Sequence, residues 1–182
     1  STSEAAFEEH LDLLEERGAR VLPLSEAVER LALGSLPPRA VALTFDDGYA
    51  SVVETAWPLL RKRDMPATLF VCSEYLPGTG RFDWDTRESI HERHRLATAQ
   101  QVADAHAEGL DIGSHTRTHP WLPALDDRAL ERELVESREV IGDLLRAPVR
   151  SLAYPTGGWD RRVRAAAARA GYTAAATLSK GT

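Results

Sequence analysis

The sequence predicts an α/β fold in which parallel strands alternate with helices. Two observations support this prediction. Short apolar runs bounded by Pro, Gly or polar residues have the length of buried strands, and stretches with helical spacing separate them. Strands joined through helices imply right-handed crossovers and a parallel sheet, either open or closed into a barrel. With 182 residues, the chain has the size of one domain.

The helices are predicted from apolar residues at helical spacing and from capping or breaking residues at their ends. Phe7, Leu11 and Leu14 form the apolar face of the first helix, which Gly18 ends. Ser25 is the expected N-cap of the second helix. In chain order, the helices after the first are predicted at 26–33, at 49–63 with an interruption at Pro58, at 98–108, from Asp126 or Asp127 to Leu145, and at 160–170.

The strands are predicted from the apolar runs between these helices. The first, at 40–45, has the pattern of a strand buried on both faces. The later strands are predicted at 67–72, 110–114, 149–155 and 172–177. One long irregular segment, residues 73–97, breaks the alternation, and we call it the insertion. Its two histidines, His91 and His94, are expected to face solvent.

Composition and charge exclude several classes of function. The chain has 22 Lys and Arg against 28 Asp and Glu, a formal net charge of −6, which argues against binding to nucleic acid. No apolar run approaches the roughly 18 residues of a membrane span, and residues 1–9 have neither the basic nor the apolar region of a signal peptide. Because Cys72 is the single cysteine, any metal must be held by His and carboxylates.

The first candidate for chemistry is an acidic pair at the end of the first predicted strand. Adjacent carboxylates point in opposite directions in a regular strand, so Asp46 and Asp47 can serve one site only if the chain turns there. Gly48 permits such a turn. Alternatively, one of the two aspartates caps the following helix.

The second candidate is a histidine pair after the third predicted strand. His115 and His119 are four residues apart, so their rings face the same way if the segment makes one helical turn. Two imidazoles and one carboxylate are a common ligand set of catalytic zinc. Two surface histidines in a loop would give the same pattern.

The third candidate is the turn 154–158 at the end of the fourth predicted strand. Pro155 restricts this turn, and Gly157 and Gly158 let the backbone approach a bound group, so that a main-chain N–H can face a developing oxyanion. A plain strand-to-helix turn explains the same residues. All three candidates follow different parallel strands, whose carboxyl ends share one edge of the sheet, and this predicts a single site.

In this order and spacing, the motifs resemble those of the polysaccharide deacetylases, also called NodB homology domains or carbohydrate esterase family four. Residues 44–48 match the first family motif and 114–119 the second, and the similarity extends from 7–11 through 67–71 to 170–172. The resemblance implies a distorted (β/α) barrel with fewer than eight strands. It also implies metal-dependent hydrolysis of N-acetyl groups on amino sugars, with residues 1–182 forming a single catalytic domain.

The resemblance also assigns roles to residues. It implies that Asp46 is the catalytic base and that one divalent metal binds Asp47, His115 and His119. Zinc is the first expectation from the ligand types, and Co, Ni, Fe or Mn remain open. The backbone N–H of Thr156 is expected to stabilise the oxyanion. The residues expected to bind an N-acetylated glycan are Tyr154, Pro155, Gly157, Trp84 and Trp159, with Trp121 as a further stacking face.

Departures from the family pattern leave alternatives open. The third motif has Ala153 and Thr156 where the family often has Arg and an aromatic residue, a variant similar to the branch that acts on exopolysaccharides such as β-1,6-linked poly-N-acetylglucosamine. Such a substrate would place the protein in the cell envelope or outside the cytoplasm. The family's late Leu-x-His motif and its first strand have no match, so the chain is expected to be clipped at both ends. A small-molecule amidohydrolase with the same centre and a catalytically silent carbohydrate-binding domain are the alternatives.

The insertion has a predicted role of its own. It starts where the second buried strand ends, on the same edge as Asp46 and His115, so its beginning lies near the site. Its aromatic residues Tyr75, Phe82 and Trp84 are expected to form a rim that holds the glycan rather than a piece of the core.

Overall fold

A computed structural model describes residues 2–78, 80–82, 84 and 94–178 of the chain, and its strands form two parallel sheets. The smaller sheet pairs β1 (Arg20–Val21) with β2 (Ala40–Val41). The larger sheet contains, in spatial order, β3 (Leu43–Phe45), β4 (Ala67–Val71), β5 (Asp111–Ser114), β6 (Ser151–Ala153) and β7 (Ala174–Ala176). Every pair is parallel, as predicted.

The order of strands in the larger sheet repeats their order in the chain. Successive crossovers therefore proceed in one direction, and right-handed crossovers place the intervening helices on one face of the sheet. This is the winding of a (β/α) barrel rather than of a doubly wound sheet. With seven strands in two sheets within the described residues, the barrel is distorted and has fewer than eight strands, which confirms the expected fold class.

Six α-helices lie before and between the strands of the described chain. They are α1 (Glu4–Glu16), α2 (Leu24–Ala32), α3 (Trp57–Lys62), α4 (Ala99–Ala107), α5 (Asp127–Leu145) and α6 (Arg161–Arg169). Side chains cap three of them at the predicted positions, because Thr98, Asp126 and Asp160 accept hydrogen bonds from the amides of Gln101, Ala129 and Val163. The predicted starts of α4, α5 and α6 are therefore confirmed.

Two local predictions for the first half are wrong. The second helix starts at Leu24 with Pro23 at its N-cap, so Ser25 lies inside the helix. Residues 40–45 form no single strand buried on both faces. Val41 pairs with β1 and Leu43 with β4, so the segment divides at Ala42, and Thr44 is exposed.

The interruption predicted at Pro58 takes the form of a wider helical turn before the proline. Residues Val52–Ala56 form a π-helix that continues directly into α3. The Trp57 N–H donates to the Val52 carbonyl, five residues back. Pro58 then lies in the first turn of α3, the part of a helix that best tolerates proline.

The core lies between the larger sheet and its helices. All five residues of β4 are buried, and Leu130, Leu134 and Ile141 on α5 pack against the sheet with at most 1% exposure. None of the helices in the described part of the chain is both long and apolar enough to cross a bilayer.

The insertion contributes a small second core, contrary to the expectation of a pure rim. Phe82 is 1% exposed and packs with Cys72 and Leu96. Its ring also stacks with Trp84 and meets the ring of Tyr75 edge-on. His94 is half-buried against Tyr49 rather than solvent-facing. The other histidine of the insertion, His91, lies outside the described residues.

Candidate metal centre

Predicted site residues from three strands line one open pocket at the carboxyl edge of the larger sheet. The pocket has a volume of about 350 Å³. Its lining residues are Asp46, Asp47, Trp84, His115, His119, Thr156 and Leu178. The structure thus brings together the acidic pair after β3, the histidines after β5 and one residue of the turn after β6.

A left-handed turn after β3 allows both aspartates to reach the pocket. Asp47 has φ +72° and Gly48 has φ +75°, so the chain turns one residue earlier than Gly48. A side chain at Gly48 would have its Cβ 3.3 Å from Val71, which is tighter than ordinary contact. Gly48 is therefore needed both for its backbone conformation and for the approach of the turn to β4.

Three ligand atoms converge in the pocket. Asp47 Oδ1 lies 3.4 Å from His115 Nε2 and 3.6 Å from His119 Nε2. Within the described chain, these residues form the one group of three metal-ligating side chains, with ligand atoms within 4.8 Å of one another. Bonds of about 2.0–2.1 Å at tetrahedral angles place neighbouring ligand atoms roughly 3.4 Å apart. The observed spacing therefore fits a tetrahedral divalent metal and exceeds the usual hydrogen-bond length.

A hydrogen bond orients the first imidazole. His115 is 2% exposed, and its Nδ1 lies 2.8 Å from the carbonyl oxygen of Ala153 at the end of β6. A carbonyl accepts only, so Nδ1 carries a proton. In the neutral form of the ring, Nε2 then has the lone pair, and this atom faces Asp47 and His119. This is the tautomer that a metal bound through Nε2 requires.

The second imidazole reaches the site through two left-handed residues and not through a helical turn. Thr116 has φ +69° and His119 has φ +65°, so the segment does not make the helical turn that would align the two rings. The His119 N–H donates to Thr116 Oγ1 at 3.1 Å, which closes the loop over the threonine side chain. The two imidazole centroids are 4.7 Å apart.

The electrostatic environment differs between the base candidate and the second imidazole. Asp46 touches solvent in the open pocket, yet the surrounding protein removes enough water from its carboxyl group to raise its pKa. His115 opposes this rise in pKa, and the negative charge of Asp47 adds to it. For His119, burial lowers the pKa, and the neighbouring His115 acts in the same direction. Both effects on His119 favour the neutral imidazole that binds metals.

The turn after β6 contributes Thr156 to the pocket. Thr156 has φ +53°, and its N–H donates to no acceptor among the described residues, whereas the N–H groups of Gly157 and Gly158 donate to Tyr154 and Pro155. Gly158 lies directly beneath the exposed Trp121 ring, and Gly157 packs against Leu178. Pro155 is buried.

Four residues predicted to bind glycan do not line this pocket: Pro155 and Gly157 belong to the turn beside it, and Tyr154 and Trp159 lie elsewhere. Tyr154 and Trp159 stack with ring centroids 6.5 Å apart and line a separate cavity of about 330 Å³ beside α6 and β7. Trp84 does line the metal pocket. Its ring is 52% exposed, lies 4.4 Å above Phe82 and meets the His119 ring at 4.7 Å.

Sequence reasoning missed two residues that hold the histidine loop. Glu133 and Ser137 lie on the buried face of α5 and bond to residues 114–118. They occupy the helical positions between Leu130, Leu134 and Ile141, so polar residues on an otherwise apolar face were the available signal.

The comparisons with known proteins agree with the fold and with the motifs. The family model described as polysaccharide deacetylase matches residues 34–175. YxkH of Bacillus subtilis, named after the same family, is 28% identical over 176 residues, which are 96% of this chain and 58% of that protein. Poly-beta-1,6-N-acetyl-D-glucosamine N-deacetylase of Staphylococcus aureus is 25% identical over 157 residues, which are 86% of this chain and 54% of that protein.

A solved structure extends the similarity to three dimensions. IcaB from Ammonifex degensii superposes with a TM-score of 0.84 at 26% identity, covering 97% of this chain and 76% of that one. The chain spans a little over half the length of the two curated relatives. The family model covers most of the chain and includes the residues of the pocket from Asp46 to Thr156. The chain therefore belongs to the polysaccharide deacetylase family.

Proposed function

We propose that this chain is a metal-dependent hydrolase that removes N-acetyl groups from an amino-sugar polysaccharide. The observation that supports the proposal best is the convergence of Asp47, His115 and His119 beside a further carboxylate, Asp46, in one open pocket. Family membership supports the reaction class. The name of the Staphylococcus aureus relative supports a β-1,6-linked N-acetylglucosamine polymer as the first substrate to test.

The donor set suits a divalent transition metal. Asp47 Oδ1, His115 Nε2 and His119 Nε2 would hold it, and zinc is the first choice because two imidazoles and a carboxylate are a common catalytic zinc set. Co, Ni, Fe and Mn accept the same ligand types. When bound, such a metal polarises the acetyl carbonyl and lowers the pKa of its water toward about 7.

Two further residues act on the substrate in this proposal. Asp46 lines the same pocket but is not one of the three residues that would bind the metal. Its carboxylate therefore stays available as the base that takes the proton from the attacking water. Thr156 lines the pocket from the turn after β6, and in this proposal its N–H donates to the oxygen of the tetrahedral oxyanion, where charge develops. Trp84 offers its exposed ring beside His119 as a wall for a sugar ring.

The test measures acetate released from β-1,6-linked N-acetylglucosamine oligomers. The protein is first stripped with a chelator and then assayed before and after addition of zinc or cobalt. We expect acetate release that needs the metal and that is lost in Asp46→Asn. Release from acetylated small molecules but not from oligomers would favour the amidohydrolase alternative. If the protein binds the oligomers but releases no acetate with any added metal, the catalytically silent carbohydrate-binding domain would be favoured.

A further inference from the structure

We propose that Glu133 is a positioning residue that sets the affinity of the metal centre by holding the histidine loop, residues 115–119, in its ligating conformation. The inference rests on the proposed function, in which His115 and His119 bind the metal. Glu133 lies on α5, sixteen positions from Arg117 in the chain, and does not itself reach the three converging donors.

Among the described residues, every hydrogen bond of the Glu133 carboxylate comes from the histidine loop. Oε2 accepts from the backbone N–H of Arg117 at 2.9 Å and of Thr118 at 2.8 Å, and Oε1 accepts from the Thr118 hydroxyl at 2.7 Å. These three donors lie between the two histidines. One side chain therefore satisfies the middle of the loop, where left-handed residues on either side prevent helical hydrogen bonding.

The Glu133 carboxylate is stabilised by hydrogen bonds from the loop rather than by an ion pair. Glu133 is 8% exposed and forms no ion pair within the described residues. The neighbouring guanidinium of Arg117 pairs instead with Glu74 and Glu136 at the surface. A buried carboxylate without a cation is costly unless its oxygens are fully hydrogen-bonded, and here the backbone of the loop supplies the donors.

A second attachment lies one helical turn further along α5. The Thr116 N–H donates to Ser114 Oγ at 3.1 Å, and Ser114 Oγ lies 2.8 Å from Ser137 Oγ. Residues four apart on a helix share a face, so Glu133 and Ser137 hold the loop from the same side. The chain between the two imidazoles is thus attached to the buried face of α5 directly at Thr118 and, through Ser114, at Thr116.

The experiment compares hydrogen bonding with charge in the full chain. Zinc affinity is measured by competition with a chromophoric chelator for the parent, Glu133→Ala and Glu133→Gln. Loss of an outer partner of a metal ligand typically lowers affinity 10- to 100-fold, and we expect that loss for Glu133→Ala. Glu133→Gln should stay close to the parent, because its amide oxygen accepts both N–H groups and the Thr118 hydroxyl reorients to accept from the amide nitrogen.

Controls separate positioning from general stability. Glu136→Ala changes an exposed glutamate of the same helix that pairs with the side chain of Arg117 and not with the loop backbone among the described residues. Ile141→Val weakens the buried face of the same helix away from the loop. Both should keep the parent's zinc affinity, although Ile141→Val lowers the unfolding midpoint. The visible spectrum of bound cobalt reports coordination geometry, and it should change in Glu133→Ala only. Should Glu133→Ala fail to fold, Thr118→Val removes one of the three bonds and should weaken zinc binding by a smaller factor.

Three results are decisive. Parent affinity in Glu133→Ala, or in Thr118→Val if that variant is needed, overturns the positioning role. An equal loss of zinc affinity in Glu133→Gln and Glu133→Ala also overturns the positioning role, because it would mean that the negative charge of Glu133 matters and not its hydrogen bonds. A parent protein that binds no zinc and no cobalt contradicts the proposed function itself, whatever the variants do.

Discussion

Alkaline pH should remove the stabilising contribution of one buried tyrosine. Tyr172 is 6% exposed, and its hydroxyl donates to the carbonyl of Leu134 at 2.9 Å. Burial raises the pKa of Tyr172 from 10.0 to about 12, opposed by hydrogen bonds with Ser114 and Ser137. Between these two values the folded protein keeps a proton that the unfolded chain has lost, so the free energy of unfolding falls as pH rises.

The magnitude follows from that shift. One pKa unit corresponds to about 1.4 kcal/mol, so stability falls by roughly 1.4 kcal/mol by pH 11 and by just over 2 kcal/mol by pH 12. Tyr172→Phe lacks this titration but also lacks the hydrogen bond, which contributes about 0.5–1.5 kcal/mol. The parent should therefore be more stable than the variant at pH 8, and this advantage should disappear near pH 11.

The assay is urea unfolding of the parent and of Tyr172→Phe at several values between pH 8 and pH 12. The difference between the two proteins isolates Tyr172, because every other titrating group is common to both. A difference in free energy of unfolding that stays constant over this range would refute the reasoning, since it would mean that Tyr172 titrates alike in the folded and unfolded states.

Four further outcomes are expected. Replacing His115 or His119 with Ala should remove most bound metal, and full occupancy in either variant would exclude this ligand set. Asp46→Asn should retain the metal and lose about 10²- to 10⁴-fold in turnover, and near-normal turnover would transfer the base role to another group. Cys72 is 2% exposed and burial raises its pKa, so Ellman's reagent should react with it only after unfolding; rapid reaction of the native protein would contradict this. Trp84→Ala should impair long oligomers more than short ones, with a smaller loss of stability than the roughly 3–5 kcal/mol of a buried aromatic; a core-sized loss without a length effect would place Trp84 in the core.

The alternation of strands and helices could be predicted because it depends on patterns that are local in the sequence. The run that forms β4 is apolar throughout and is buried throughout, and the caps at Thr98, Asp126 and Asp160 are side-chain effects within one turn. The division at Ala42 could not be predicted in this way. It depends on which neighbour each half of the segment pairs with, and that neighbour is distant in the chain.

The convergence of the pocket residues was also accessible from the sequence, because parallel strands present their carboxyl ends at one edge. The backbone conformation that brings these residues together could not be predicted from the sequence. Left-handed conformations at Asp47, Thr116 and His119 are uncommon for residues other than glycine, most of all for the β-branched Thr116, and they are held by contacts that only the fold creates. The role of Glu133 is not local either: its place on an apolar helix face marks it as unusual, but its partners lie 15 and 16 positions earlier, in a loop.

The order of strands in the sheet also sets the order in which the site is assembled during synthesis. Each strand from β4 onward pairs with the strand made just before it, so the sheet can grow by one strand at a time. All three residues proposed to bind the metal have left the ribosome once His119 has emerged. The carbonyl that fixes the proton on His115 belongs to Ala153, 38 positions after that histidine. A nascent chain that ends before β6 therefore contains all three of these residues, but either ring nitrogen of its His115 can carry the proton. The position of this proton becomes fixed only when β6 joins the sheet and brings the Ala153 carbonyl to Nδ1.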